Sequence, residues 1–271
     1  MNITLVPSPF ALDQHRVSMG RAPEALLAAG LASQLESDGH TVSVAERDLD
    51  LGRGTVLARI GRNDAILADA VAAARRNHSL PVILGGDCLV SIGVVVGLRR
   101  ALDSDFGIAW FDAHGDFNTP DTTISGYLGG MPLACACGRG LEILRESAGL
   151  DRPVNESNVV MLGIRDLDPP ERALLDTTPV RIFSPGETPT FVADDRPTYL
   201  HFDIDAMDPS RAPGVNYLAP NGLSLEAALA AARKVRPHLA ALSLTAVDPE
   251  RDRNGKTVQT AIELIRGILK S

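Results

Sequence analysis

Short apolar runs alternate with longer helical patterns along this chain, and this alternation constrains its fold more than any other feature. The helical patterns cover residues 23–36, 57–76, 91–102, 168–175, 224–235 and 256–269. The apolar runs are typical of strands and cover residues 3–6, 41–45, 80–84, 106–111, 159–164, 180–183, 198–205 and 239–247. Strands joined through helices pair in parallel and carry helices on both faces of the sheet. The sequence therefore predicts an α/β fold.

Length and charge narrow the possible functions. At 271 residues, the chain is expected to form one domain over residues 1–271. Its formal net charge of −8 at pH 7 disfavours nucleic acid and anionic membranes as partners, because both bind basic surfaces. We therefore expect a small-molecule substrate, and the sequence leaves open whether the chain forms a homo-oligomer.

Three sequence features predict a cytoplasmic location. Residues 1–7 contain neither a basic segment nor a long apolar stretch, so we expect no signal peptide. No apolar run approaches the ~20 residues that cross a membrane. The chain has three cysteines, an odd and low number that predicts no disulfide framework and suits the reducing cytoplasm.

The apolar run 106–111 ends in the sequence Asp112-Ala113-His114-Gly115-Asp116. If the strand continued with its period of two, Asp112, His114 and Asp116 would point to the same side. Two carboxylates and an imidazole placed together repel each other or stay unpaired unless a cation lies among them. A solvated turn after the strand is the alternative, but it accounts for one aspartate only. The motif therefore favours a metal site.

A second acidic cluster closes the run 198–205, where Asp203 and Asp205 would again point to one side of an extended strand. The carboxyl ends of parallel strands share one edge of the sheet, where ligands bind, so the two clusters can meet. Carboxylates with a histidine suit divalent ions such as Mn²⁺, and five ligands are more than one such ion needs. We therefore predict two divalent ions, expected to be Mn²⁺, which activate water between them.

Five motifs together give the chain a resemblance to the ureohydrolases, the family of arginase and agmatinase. They occur in the family's order and spacing and span most of the chain: Gly85-Gly86-Asp87-Cys88, Asp112-Ala113-His114-Gly115-Asp116, residues 125–132, Gly163-Ile164-Arg165-Asp166 and Phe202-Asp203-Ile204-Asp205. Any one motif is weak evidence, whereas the ordered set is specific. The resemblance implies a three-layer α-β-α sandwich around a mainly parallel eight-stranded sheet.

The resemblance also implies roles at a metal centre. Asp112 and Asp203 resemble the two carboxylates that bridge both ions. The remaining ligands, by the same resemblance, are Asp116 and Cys88 for one ion and His114 and Asp205 for the other. Asp116 would also orient the hydroxide between the ions, which attacks a guanidino carbon.

Four further residues match substrate-binding positions of the family. Asn118 and Ser125 match residues that hold the α-carboxylate of arginine, and Asp168 matches the carboxylate that receives the α-amino group, with Glu171 supporting it. These matches favour an amino-acid substrate over agmatine, which has no carboxylate. Structural alternatives stay open: Asn118 could only brace the turn before Pro120, and Asp168 could only cap a helix.

The chain departs from the family pattern at three positions. Cys88 stands where the family has a histidine ligand, and thiolate is a softer donor than Mn²⁺ prefers. Gly129 stands where a histidine transfers a proton to the leaving amine. Ala246 stands where arginases have a glutamate that accepts from the guanidinium.

Losses at Gly129 and Ala246 indicate either a degraded site or a changed substrate. A degraded site would leave an arginine-binding protein without turnover, yet drift would hardly spare the metal motifs together with Asn118 and Ser125. A substrate with a less basic guanidine would need neither the histidine missing at position 129 nor the glutamate missing at position 246. In this respect the chain resembles the hydroxyarginine hydrolases of D-cycloserine biosynthesis. We expect an amidinohydrolase that converts Nω-hydroxy-L-arginine to L-ornithine and hydroxyurea; an ordinary arginase or guanidino-acid hydrolase is the alternative.

Overall fold

Every run that the sequence marks as a strand forms one in the computed structural model, which describes residues 1–47 and 50–270. The strands are β1 (Asn2–Ser8), β2 (Phe10–Ala11), β3 (Gln14–His15), β4 (Thr41–Val44), β5 (Leu80–Gly85), β6 (Gly107–Phe111), β7 (Val159–Leu162), β8 (Arg181–Phe183), β9 (Thr198–Asp203) and β10 (Leu239–Thr245). The α-helices are α1 (Ala22–Ala28), α2 (Leu31–Ser37), α3 (Val56–Arg76), α4 (Val90–Ala101), α5 (Pro132–Ala136), α6 (Glu142–Ala148), α7 (Pro169–Leu175), α8 (Leu225–Val235) and α9 (Lys256–Leu269).

Eight of the strands form one sheet in the order β4-β1-β5-β10-β9-β6-β7-β8. Each pairing of neighbours in this sheet is parallel within the described residues. The remaining strands, β2 and β3, form a separate antiparallel hairpin that the sequence analysis did not predict. The expected eight-stranded parallel sheet is confirmed.

Helices cover both faces of the sheet because neighbouring strand residues point to opposite sides. On one face, Trp110 and Tyr199 pack with the apolar side chains of α3, α4, α5 and α6. On the other, Phe111 and Phe202 pack with those of α1, α2, α8 and α9. Two cores therefore enclose the sheet and make the expected three-layer sandwich. Within the described residues, no helix is long and apolar enough to span a bilayer.

The helix predicted over residues 23–36 is wrong, because the chain forms α1 and α2 instead. Gly30 separates them with a left-handed φ of 84°, a conformation that glycine adopts without steric cost. Helix α6 was also not predicted. This helix has seven residues and packs against α3.

Sheet order determines which loops meet. Strands β5, β10, β9 and β6 are consecutive neighbours at the centre of the sheet. Their carboxyl ends lead into Cys88, Ala246, Asp205 and Asp112, respectively. Positions distant in sequence therefore converge at one edge of the sheet, where ligands of parallel α/β folds bind.

Candidate functional site

A cavity of about 340 Å³ opens at this carboxyl edge. All ten residues that the sequence analysis singled out line it: Cys88, Asp112, His114, Asp116, Asn118, Ser125, Asp168, Glu171, Asp203 and Asp205. Two more acids, Asp87 and Asp166, also line the cavity, and the lining residues that the structure describes include no Lys or Arg. The cavity is therefore strongly acidic and suits cationic ligands.

Both acidic motifs turn directly after their strands, so the expectation of extended strands with period two is wrong. Asp112 Oδ1 accepts a hydrogen bond of 2.7 Å from the backbone N–H of His114. Asp203 Oδ1 likewise accepts 2.8 Å from that of Asp205, where the chain begins a short 3-10 helix, Ile204–Ala206. An aspartate that bonds to the backbone two residues on favours a turn over a strand. The motifs converge through matching turns.

His114 faces two of the carboxylates. Its Nδ1 lies 3.4 Å from Asp112 Oδ1 and 3.2 Å from Asp205 Oδ2. Burial alone lowers the pKa of His114, but hydrogen bonds to Asp112 and Asp205 and their charges outweigh burial and raise that pKa to about 12. Asp112, His114 and Asp205 thus form a group whose donor atoms lie within 4.8 Å of one another.

Cys88 reaches the same cluster from the other side. Its Sγ donates a 2.9 Å hydrogen bond to Asp203 Oδ2 and lies 3.3 Å from Thr245 Oγ1. Burial, followed by the charge of Asp203, raises the pKa of the Cys88 thiol well above its usual range. The thiol therefore stays protonated unless a cation offsets those charges.

The carboxylates fit a pair of divalent cations. Burial and then the charge of Asp205 raise the pKa of Asp112 to about 6, and burial raises the pKa values of Asp116 and Asp203 well above their usual range. Asp116 Oδ2 is buried and has no hydrogen-bond partner among the described residues. Buried carboxylates crowded in this way are stabilised by metal ions, which supply the missing positive charge.

The four residues predicted to bind substrate differ in their contacts. Asp168 occupies the N-cap position of α7, but its side chain makes no capping hydrogen bond, so the capping alternative is wrong. Asn118 does brace its turn, because its Oδ1 accepts 2.9 Å from Thr122. Glu171 accepts 2.8 Å from the backbone N–H of Phe117, which supports the loop after Asp116. Ser125 is exposed and lies in the cavity lining.

Arg165 fastens the loops around the second acidic motif. Its guanidinium donates to backbone carbonyls on both sides of the cluster, at 2.7 Å to Asp205, 3.2 Å to Ala206 and 2.8 Å to Ala219. Five planar donors suit such a set of carbonyls. The motif Gly163-Ile164-Arg165-Asp166 thereby acquires a structural role that the sequence analysis did not assign.

Several lining residues were missed from the sequence: Met19, Asp87, Tyr127, Asp166, Asn216 and Tyr217. Asp87, Tyr127 and Asp166 lie inside motifs that carried the resemblance, and that position was the available signal. Nothing in the polar loop 213–221 marked Asn216 or Tyr217. His201, which lies in β9 within 4.8 Å of Cys88 and Asp112 by its donor atom, was read as an ordinary strand residue.

Comparison with known proteins agrees with this geometry. The family model of the arginase family matches residues 1–270. Arginase of Bacillus subtilis is 29% identical over 98% of this chain and 97% of its own length, and its crystal structure superposes with a TM-score of 0.89, covering 100% of this chain and 99% of that one. Proclavaminate amidino hydrolase of Streptomyces clavuligerus shares the fold, with a TM-score of 0.73 at 19% identity over 99% of this chain and 91% of that one.

The chain belongs to the arginase family. It is therefore an amidinohydrolase, an enzyme that hydrolyses guanidino groups. Arginase-family enzymes depend on two metal ions, and two groups of side chains in this cavity could hold them: Asp112, His114 and Asp205 in one, and Cys88, Asp112 and His201 in the other.

Two of the three departures from the family pattern lie at the cavity surface. A side-chain carbon added to Gly129 would collide with the ring of Tyr127 and lie 2.7 Å from its hydroxyl oxygen. Tyr127 therefore fills the space in which the family's histidine would begin. Ala246 follows β10 with a left-handed φ of 65°, and its small side chain lines the cavity at the position where the sequence resemblance implies a glutamate in arginases.

Proposed function

We propose that this enzyme hydrolyses Nω-hydroxy-L-arginine to L-ornithine and hydroxyurea. One observation carries the proposal: the cavity keeps the residues expected to bind an amino acid, whereas Gly129 and Ala246 replace the groups that serve a basic guanidinium. By the resemblance of the sequence, the hydroxyurea would serve D-cycloserine biosynthesis.

The amino-acid end of the substrate would be held by three side chains. The carboxylate of Asp168, which makes no capping bond, would receive the α-ammonium group. Asn118 and Ser125 would donate hydrogen bonds to the α-carboxylate. Since Asn118 Oδ1 accepts from Thr122, its amide N–H₂ is the group turned to such an acceptor. Agmatine, which lacks the carboxylate, would lose these contacts.

The guanidine end favours a less basic group. Arginine's guanidinium is fully charged near neutral pH, and without a carboxylate at position 246 it would face two metal ions with one fewer negative partner. An oxygen substituent withdraws electrons from the guanidine, so the neutral form of a hydroxyguanidine is more available. The small side chain of Ala246 also leaves room for the added oxygen.

The metal ligands proposed for this chain are Cys88, Asp112, His114, Asp116, Asp203 and Asp205, with Mn²⁺ as the ion expected for oxygen donors. Two bound ions would lower the pKa of water so that a nucleophile is present at neutral pH. Asp116, whose Oδ2 lacks a partner among the described side chains, would accept a hydrogen bond from the attacking water and hold it toward the guanidine carbon.

The reaction forms one bond and breaks another. The water oxygen bonds to the guanidine carbon, and the bond from that carbon to Nε of the substrate breaks. The leaving nitrogen gains a proton and departs as the amine of ornithine. Gly129 has no proton to give, so the substrate's own hydroxyl would supply or relay it.

A comparison of three substrates tests this proposal. With both metal sites loaded, kcat/KM for Nω-hydroxy-L-arginine should exceed that for L-arginine at least ~100-fold, about 2.7 kcal/mol of transition-state discrimination. Ornithine release measures both reactions, and putrescine release measures agmatine, which should react more slowly than either. If arginine is hydrolysed as well as its hydroxylated form, the enzyme is an ordinary arginase and the proposal is wrong.

A further inference from the structure

His201 lies directly beneath the metal ligands. It is in β9, two residues before Asp203, and its side chain is fully buried. Its ring stacks on Trp110, with centroids 3.6 Å apart and planes 14° from parallel. Trp110 Nε1 in turn donates 3.0 Å to Asp112 Oδ2. The core beside Asp112 therefore holds an imidazole in one orientation.

The two ring nitrogens of His201 have different partners. Nδ1 lies 2.8 Å from Ser243 Oγ and 3.1 Å from the hydroxyl of Tyr199. Nε2 points the other way and lies 3.5 Å from Thr245 Oγ1, at the outer limit of a hydrogen bond. One nitrogen is thus well bonded, while the other has only a weak contact in a buried site.

Side chains of a kind that bind metal lie together around His201. Cys88 Sγ, a carboxylate oxygen of Asp112 and a ring nitrogen of His201 all lie within 4.8 Å of one another. Two ligands on one ion, with bonds of ~2.1 Å to nitrogen and ~2.3 Å to sulfur, lie at most ~4.4 Å apart. A contraction of a few tenths of an ångström would therefore bring the three donors onto one cation.

We propose that His201 Nε2 is a ligand of the ion that Cys88 binds. The inference rests on the proposed two-metal site and adds a ligand to it. The imidazole that position 88 lacks would come instead from β9, and Ser243 and Tyr199 would orient it through Nδ1, as groups behind metal-bound histidines commonly do.

The donor set has a consequence for metal choice. A thiolate and an imidazole suit Zn²⁺ or Co²⁺ better than Mn²⁺, which prefers oxygen donors. The ion at Cys88 and His201 should therefore be softer than the ion at His114 and Asp205. This enzyme would bind two different metals, or one metal with two distinct affinities.

X-ray absorption on the Zn²⁺-loaded wild-type enzyme tests the ligand directly. With two ions bound, the spectrum should contain one sulfur and two imidazoles per pair of ions, one from His114 and one from His201. A spectrum with a single imidazole would overturn the inference. This measurement needs no variant, so it holds even if changes in the core reduce folding.

Metal titration of variants gives an independent test, with Zn²⁺ and Mn²⁺ as the probes. His201→Gln should weaken Zn²⁺ binding at one of the two sites at least ~10-fold. Tyr199→Phe removes a hydroxyl from the same buried network but no ligand, and it should keep stronger Zn²⁺ binding than His201→Gln. Equal affinities in His201→Gln and the wild type would show that His201 only packs.

The same titration separates this inference from the proposed function. Wild-type enzyme that binds no stoichiometric metal would overturn both. Wild-type enzyme that binds two ions, with both retained at full affinity in His201→Gln, would overturn the role of His201 and leave the proposed reaction intact.

Discussion

The base and the wall of the cavity are built on different principles. The base consists of Cys88, Asp112, His114, Asp116, Asp203 and Asp205, and the wall consists of Tyr127, Gly129, Tyr217 and Ala246. The base is mostly buried and acidic, and its two motifs are held by matching aspartate turns. The wall has no carboxylate or basic side chain, and Tyr217 is 53% exposed.

This difference suggests that the base carries out the reaction and that the wall selects the substrate. Charges crowded in the base are costly without cations, so the base is organised to bind metal and to activate water. The wall has no charged side chain for either task, and under the proposed function it would set the room and the charge that a guanidine meets. Changes in the base should therefore abolish activity, whereas changes in the wall should exchange one substrate for another.

The largest effect is expected for Asp203→Asn, because Asp203 is proposed to bridge both metal ions and the substitution removes its charge. Loss of one partner from a buried charged cluster costs ~4 kcal/mol, so kcat/KM should fall ~10³-fold and metal content should fall as well. Without metal, the variant should unfold at a higher temperature than the wild type, because burial makes the Asp203 carboxylate costly.

Asp166→Asn is the matched control, since this carboxylate lines the same cavity but its side chain is 67% exposed. It should lose less than ~10-fold in kcat/KM, as expected for a screened charge. Elemental analysis and ornithine release measure the outcome for Asp203→Asn. Full metal content and normal turnover would contradict the proposed role of Asp203 as a ligand of both ions.

Much of the fold was predictable because each strand and helix carries its own local pattern. Strand positions follow from apolar runs, but the order in the sheet depends on contacts between distant residues, which no local pattern contains. The break at Gly30 illustrates a local error. Its position between two apolar helical stretches was compatible with one helix, and only the left-handed φ of 84° separates them.

Chemistry of the site was predictable to a similar degree. Asp112 and Asp203 could be identified because carboxylates directly after buried strands are costly unless a positive partner lies beside them. The prediction that both motifs continue as extended strands was wrong. Each aspartate accepts a hydrogen bond from a backbone N–H two residues on, and the chain turns there. The position of His201 beside Cys88 and Asp112 could not be predicted, because a histidine inside a strand is ordinary and only the strand order brings these residues and Ser243 together.

A smaller effect is expected from Ala246→Glu, which adds a carboxylate to the wall. The added charge would accept from a guanidinium, so kcat/KM for arginine relative to hydroxyarginine should rise ~10-fold, about 1.4 kcal/mol. The backbone already has a left-handed φ of 65° with a non-glycine residue, so the change adds a side chain without changing the residue class there.

Ala246→Gln is the control for size, because it has the same length without the charge. Competition between the two substrates in one reaction measures the ratio directly. If Gln and Glu shift the ratio equally, room in the wall rather than charge selects the substrate. If neither shifts it, the wall does not discriminate between the two guanidines.

The smallest effect concerns Glu171, which connects the base to the loop that follows it. Its buried carboxylate accepts from Phe117 N–H at 2.8 Å, and burial is the main cause that raises its pKa from 4.5 to about 7. A raised pKa means that the folded state favours the protonated form. The resulting stability is complete below about pH 4.5 and is lost as the pH rises through about 7.

Glu171→Gln keeps an acceptor for Phe117 but cannot ionise, so it should remove this pH dependence. In metal-free protein, the variant should melt at least ~2 °C above the wild type at pH 8, and this difference should shrink at pH 5. Paired melting curves in a chelator at both pH values measure it. A constant difference would mean that the substitution changes packing and not ionisation, and that Glu171 is charged in the fold at both pH values.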